Sequence, residues 1–179
     1  FLSEPEVAAF EAKLATFSGA RFAVACGNGT DALQLALMAE GIGQGDAVIV
    51  PDFTFTATAE AVALVGATPV FVDIHADFNI DVGQLEAGLC VAKDRGLRPR
   101  ALIAVDLFGL AANYEALNAF CDSNGLLLIA DAAQSFGAGL RGRKVGTLAP
   151  ITTTSFFPAK PLGCYGDGGA ILTDDADLV

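Results

Sequence analysis

Residues 152–173 read TTTSFFPAKPLGCYGDGGAILT, and one lysine stands at their centre. Lys160 has Pro158 two residues before it and Pro161 directly after, and Gly163, Gly166, Gly168 and Gly169 follow. Proline fixes φ and cannot donate to a ladder, so the lysine belongs to a stiff, non-helical turn between two strands. An ordinary surface lysine gains nothing from such a surround. A lysine whose amine must stay in one place does, and the expected role is covalent catalysis. Asp131 ends the apolar run LLLIA, where an unpaired carboxylate is costly. It either caps a neighbouring helix, pairs with an arginine, or meets a protonated heteroaromatic nitrogen. Gln134, three residues on, offers an amide to the same ligand, and Phe55 either packs in the core or stacks on a ring.

A further signal is GNGTDA at 27–32, between an apolar strand and an apolar-faced helix. It fits the G-x-G-x-x-A dinucleotide fingerprint, with Asp46 or Asp52 as the acid for a ribose. It fits equally any phosphate held on a helix N-terminus, where free amides and the positive dipole end meet the anion. Together the parts match one cofactor. Pyridoxal 5'-phosphate requires a lysine for its Schiff base, an acid on its pyridinium nitrogen, a phosphate cradle and a flat wall. Lys160 would then shuttle a proton at the reacting carbon, which is the chemistry of amino transfer.

The elements that position these residues alternate. A helix over 3–17 with Ser3 as N-cap and Glu6 completing a capping box precedes strand 22–26 and a helix over DALQLALMAE. Strand 47–51, a helix ended by Gly66, strand 68–74 and a helix over DVGQLEAGLCVAKDRG follow. Strand 101–109, a helix closing on Gly125 and strand 126–131 complete the series. The strands are continuous apolar runs, which is how a parallel sheet with both faces covered reads in sequence. After Asp131 the pattern changes to strands without long helices. No repeat, low-complexity tract or linker interrupts it, so one α/β domain spans 1–179. Ligands of such sheets lie beyond the carboxyl ends of the strands, where GNGTDA, PDFTFTAT, DLFG, DAAQS and Lys160 fall.

Composition narrows the function classes. The net charge of −11, with only ten Lys and Arg in 179 residues, argues against a nucleic-acid surface. The apolar content of 53% is distributed in sheet-sized runs, none of membrane-spanning length. Cys26, Cys90, Cys121 and Cys164 show no CxxC pairing, and His75 is the only histidine, so neither a metal site nor a disulfide framework is expected and a reducing cytoplasm is. The chain opens on Phe1 and closes on DDADLV, which reads as the start of another helix, so it is expected to continue at both ends.

The order GNGTDAL, VPDFTFTATAEAV, GATPVFVDI, VDLFG, ADAAQSFGA and SFFPAKPLGCYGDGGAI resembles the DegT/DnrJ/StrS family of nucleotide-sugar aminotransferases over nearly the whole chain. The resemblance implies a type I pyridoxal phosphate fold, with a mostly parallel seven-stranded large domain and a homodimeric assembly. It implies that Lys160 binds the cofactor's aldehyde, Asp131 meets its ring nitrogen and Gln134 lies near its phenolic oxygen. Gly29, Thr30 and Ser155 would hold the phosphate, and Phe55 would stack on the ring. The amino donor would be an amino acid, by family glutamate, and the acceptor a keto nucleotide-sugar. The lysine motif is nearest in wording to the subgroup that aminates a UDP-linked 3-keto-N-acetylglucosaminuronic acid for surface polysaccharide. Members are longer and carry a C-terminal small domain, so the 179 residues correspond to the cofactor-binding large domain. Two other readings remain at this point: an NAD-dependent oxidoreductase built on GNGTDA, and a non-catalytic member that keeps the fold for regulation or assembly.

Overall fold

Branched apolar residues at consecutive positions favour extended backbone, and where both faces are covered every one of them is buried. Three interior strands of the protein are of this kind. The structure is a computed structural model that describes residues 5–179. In it β2 (Asp46–Pro51) is buried throughout, and so are the C-terminal halves of β4 (Arg98–Val105) and β5 (Leu127–Asp131). With β1 (Phe22–Cys26), β3 (Thr68–Val72), β8 (Ile151–Ser155) and β9 (Gly169–Thr173) they form a seven-stranded sheet in the order β1-β9-β8-β5-β4-β2-β3. Only β9 runs against the rest, pairing antiparallel with β1 on one side and β8 on the other. The carboxyl ends of the six co-directional strands therefore share one edge. A two-residue hairpin, β6 (Gly139–Leu140) with β7 (Arg143–Lys144), stands apart.

Alternate residues of each strand enter opposite cores. Ile49, Leu102 and Leu128 meet α4 (Leu85–Asp94) and α5 (Tyr114–Asn124) through Leu85, Leu89 and Leu117. Val48, Val50, Ile103 and Ile129 meet α2 (Gly29–Ala39) and α3 (Ala57–Leu64) through Leu33, Leu37 and Val62. Caps fix where the helices begin and stop. Asn28 accepts from the Asp31 amide at 2.8 Å to start α2, and Gly125 takes φ 63° to end α5.

The expected elements are present, with shifted limits. The fourth strand spans 98–105 and not 101–109, because the Asp106 amide turns to donate to the Asp131 carbonyl at 3.1 Å and Leu107–Gly109 closes a tight turn. The third strand ends at Val72, and α2 begins two residues before the segment expected of it. The first helix, α1, runs Pro5–Ser18 and buries only Leu14 and Ser18. The Ser3 N-cap lies outside the described residues. No helix among the described residues is long and apolar enough to cross a membrane.

Leu102 is fully buried at the middle of β4. Leu102→Ala is expected to cost ~2–5 kcal/mol in a denaturant titration, the usual range for a core leucine. A loss below ~1 kcal/mol would mean that β4 is not an interior strand of the sheet.

Candidate active site

The shared carboxyl edge of the strands opens into a cavity of about 980 Å³. Every residue expected to hold the pyridoxal cofactor lines it, Lys160, Asp131, Gln134, Phe55, Ser155, Gly29 and Thr30, whereas Asp46 and Asp52 do not. The cofactor residues arrive from four separate segments, so the sheet edge is what brings them together.

Lys160 follows β8 in a turn closed by its own amide, which donates to the Phe157 carbonyl at 2.8 Å. The chain then folds back, with the Cys164 amide donating to the Phe156 carbonyl and the Phe156 amide to that of Gly168, both at 2.7 Å. Gly163 allows this, since a Cβ there would stand 2.5 Å from the Pro158 carbonyl oxygen. Lys160 is half-buried, and its Nζ lies 5.9 Å from the centre of the Phe55 ring, whose own face is exposed.

Asp131 is 7% exposed. It accepts from the Ala133 amide at 3.1 Å and, weakly, from the Thr58 hydroxyl at 3.4 Å. Among the described residues it forms no ion pair. Burial pushes its carboxyl up from the usual 3.8 to about 6, helped by the charge of Asp106 and opposed by the Ala133 amide, the Lys160 ammonium and Thr58. The helix-cap and arginine-pair readings of this residue therefore have no partner here. A carboxylate out of water with two hydrogen bonds and no cation is a site for a cationic donor.

Gln134 is fixed by an unusual backbone. Phe108 takes φ 57°, rare for a bulky residue, and its amide donates to Gln134 Oε1 at 2.9 Å. With the oxygen engaged, the Gln134 amide nitrogen is the free end and can donate. Asp106 ends an apolar run just as Asp131 does, but nothing in the sequence marks it as a site residue. Its carboxylate is wholly buried and fully engaged, accepting from the Ala112 amide at 2.9 Å, the Tyr114 hydroxyl at 2.8 Å and the Ser135 hydroxyl at 2.7 Å. Burial raises its pKa, and these three donors work against the rise. Asp106 ties the DLFG and DAAQS segments to each other behind the cavity.

The start of α2 also lines the cavity. The amides of Asp31 and Ala32 are taken by Asn28, at 2.8 Å by its side chain and 3.1 Å by its carbonyl. Those of Gly29 and Thr30, at the first two helical positions, have no intrahelical partner by construction and stand at the cavity. Gly29 is packed so close to β8 that a Cβ on it would lie 2.7 Å from that of Ser155. One expected acid is elsewhere. Asp46 begins β2, at the far end of the sheet, where Arg98 at 2.7 Å and Arg100 at 3.7 Å hold it. Burial would raise its pKa, but the Arg98 hydrogen bond leads the contacts that bring it below the usual value. It is unavailable to a ribose.

With this geometry in view, the sequence pattern of the DegT/DnrJ/EryC1/StrS aminotransferase family matches residues 1–179. The chain is 50% identical to the UDP-2-acetamido-2-deoxy-3-oxo-D-glucuronate aminotransferase of Pseudomonas aeruginosa, over 99% of this chain and 48% of that protein. It superposes on a DegT/DnrJ/EryC1/StrS aminotransferase from Brucella abortus with a TM-score of 0.96 at 54% identity, over 99% of this chain and 48% of the other. The Bacillus subtilis protein NtdA, solved with the cofactor PMP bound, matches at 34% identity and a TM-score of 0.90, over 99% of this chain and 39% of that one. The chain thus spans about half the length of the curated relatives it matches.

The state of Asp131 makes a prediction about pH. Its folded pKa, about 6, stands above the ordinary 3.8, so the ionised form is the one that folding disfavours. That penalty is present above pH 6 and disappears as pH falls toward 4. In cofactor-free protein, Asp131→Asn should therefore raise stability at pH 8 by ~1–3 kcal/mol and lose this advantage near pH 4. Melting curves across that range check it, and a variant less stable than the parent at pH 8 would contradict a cation-free carboxylate.

Proposed function

Because the chain belongs to the DegT/DnrJ/EryC1/StrS aminotransferase family, we propose that its cavity binds pyridoxal 5'-phosphate and moves an amino group from an amino acid, with glutamate as donor, to a keto nucleotide-sugar. The observation that carries the reading is a buried carboxylate without a cation, Asp131, lining the same cavity as a lysine held by its turn, Lys160. The residues present suit the group. Gly29 and Thr30 have free helix N-terminal amides beside Ser155 for a phosphate. The exposed Phe55 face suits an aromatic ring, and Gln134 has a free donor for an oxygen on that ring.

When bound, this cofactor supplies an aldehyde that captures amines and a ring that holds the electron pair released at a substrate carbon. Every other part of the chemistry falls to the chain. Asp131, ionised, keeps a proton on the ring nitrogen, since a cation there removes the penalty its burial imposes. Lys160 supplies the amine that anchors the aldehyde, and as a free base it carries the proton at the reacting carbon. Gln134 orients the ring by its amide, while the amides of Gly29 and Thr30 with Ser155 hold the phosphate end.

Residues 1–179 are, on this reading, the cofactor-binding domain. The Pseudomonas relative's name supports a UDP-linked 3-keto sugar acid as acceptor. The enzyme is a cytoplasmic homodimer. The exposed cluster of Phe53, Phe78 and Phe108, with ring centres 5.7 and 5.4 Å apart beside the cavity, favours a second copy on this face. The oxidoreductase reading is weakened on both of its acids, since Asp46 is bound to two arginines and Asp52 does not line the cavity.

In the full-length enzyme, glutamate alone should convert the bound cofactor to its amine form, read as a shift of the visible absorbance. A protein that binds the cofactor and never makes this conversion would be the non-catalytic alternative. Lys160→Ala should lower turnover by three or more powers of ten, at ~1.4 kcal/mol each, without loss of fold. Substantial remaining aminotransfer by that variant would refute the role of Lys160.

A further inference from the structure

Gly169 opens β9 directly behind the start of α2. A Cβ on it would stand 2.3 Å from the Asn28 carbonyl oxygen, 2.5 Å from the carbonyl carbon and 2.9 Å from the Gly29 nitrogen. All three atoms are backbone, and they are the peptide that begins the helix. Its φ is not in the left-handed region, so the position needs glycine for this close approach and not for its conformation. Both sides of the contact are tethered by hydrogen bonds, so relieving it must move backbone. Gly169 is paired with Cys26 on one edge and with Ser155 on the other. Asn28 is held by its cap to Asp31, at 2.8 and 3.0 Å, and by the Ala32 amide on its carbonyl at 3.1 Å. Nearby Gly166 is different, since a Cβ on it would meet nothing within 4 Å.

We propose that Gly169 is a positioning residue for the phosphate end of the cofactor, an inference that rests on the pyridoxal phosphate reading above. By carrying no side chain it lets the Asn28–Gly29 peptide sit against β9. That contact sets the distance between the free amides of Gly29 and Thr30 and the Ser155 hydroxyl, which neighbours Gly169 in the sheet. A methyl group there displaces the first turn of α2 away from β8, widening the cradle. Lys160 and Asp131, which are not among the close contacts of Gly169, keep their places.

The test compares two ligands that share ring and aldehyde and differ in the phosphate. Dissociation constants for pyridoxal 5'-phosphate and for pyridoxal are measured by absorbance on the full-length enzyme, its Gly169→Ala variant and a Gly166→Ala control. The expected result is a tenfold or greater loss of affinity for pyridoxal 5'-phosphate in Gly169→Ala, with pyridoxal unchanged. The control should leave both values as they are. Equal losses for the two ligands, no loss for either, or failure of Gly169→Ala to fold would each overturn the proposal, the last by making the residue a determinant of the fold. Should the parent enzyme bind both ligands equally, the phosphate cradle itself is refuted, and that outcome is distinct from a failure at Gly169.

Discussion

The buried carboxylate of Asp131 is the constraint to which the rest of the structure answers. It sits at the end of a central strand, out of water, with one amide and one distant hydroxyl as donors. Left alone it is a liability, and burial accordingly moves its proton affinity well into the range of weak acids. A fold that keeps such a group in place gains only when a cation arrives to meet it. A cavity of about 980 Å³ lies before it, with Lys160 in the same lining.

That arrangement needs rigidity on several sides at once, and each side obtains it differently. The lysine turn is held by two prolines and a glycine contact, not by packing of the lysine itself. Gln134 is held by a phenylalanine in left-handed backbone, a strained geometry that costs on the order of 1–2 kcal/mol. The segments that carry Asp131 and Gln134 are bound to the DLFG turn through Asp106, whose three donors offset the cost of its burial. The start of α2 is set by glycine contacts against β8 and β9. Among the described residues, buried carboxylates without an ion pair thus collect at the carboxyl edge of the sheet, while the buried Asp46 at its other end is held by two arginines.

Much of this was legible in the residues. Continuous apolar runs between helices announced the parallel sheet, and the prolines around Lys160 announced the turn. The reversal of β9 was not readable, because an apolar strand pattern carries no direction. The extra residues in the fourth strand were expected of a helix-to-strand connection, since Arg98 and Pro99 look like loop residues until the buried Asp46 partner is known. Asp106 went unremarked for the opposite reason. Its position at a strand end was visible, but the hydroxyls that engage it come from Tyr114 and Ser135, and only the folded chain brings them together. The cradle was seen as a glycine-rich turn, yet the role of each glycine depends on which backbone it touches across the sheet.

The central claim is that the charge of Asp131 is reserved for a ring nitrogen. It is tested most directly by the ¹⁵N resonance of nitrogen-labelled cofactor in the holoenzyme, followed from pH 6 to pH 9. The account predicts a protonated nitrogen throughout that range in the parent enzyme and an unprotonated one in Asp131→Asn. A nitrogen with the same protonation in both proteins would contradict it.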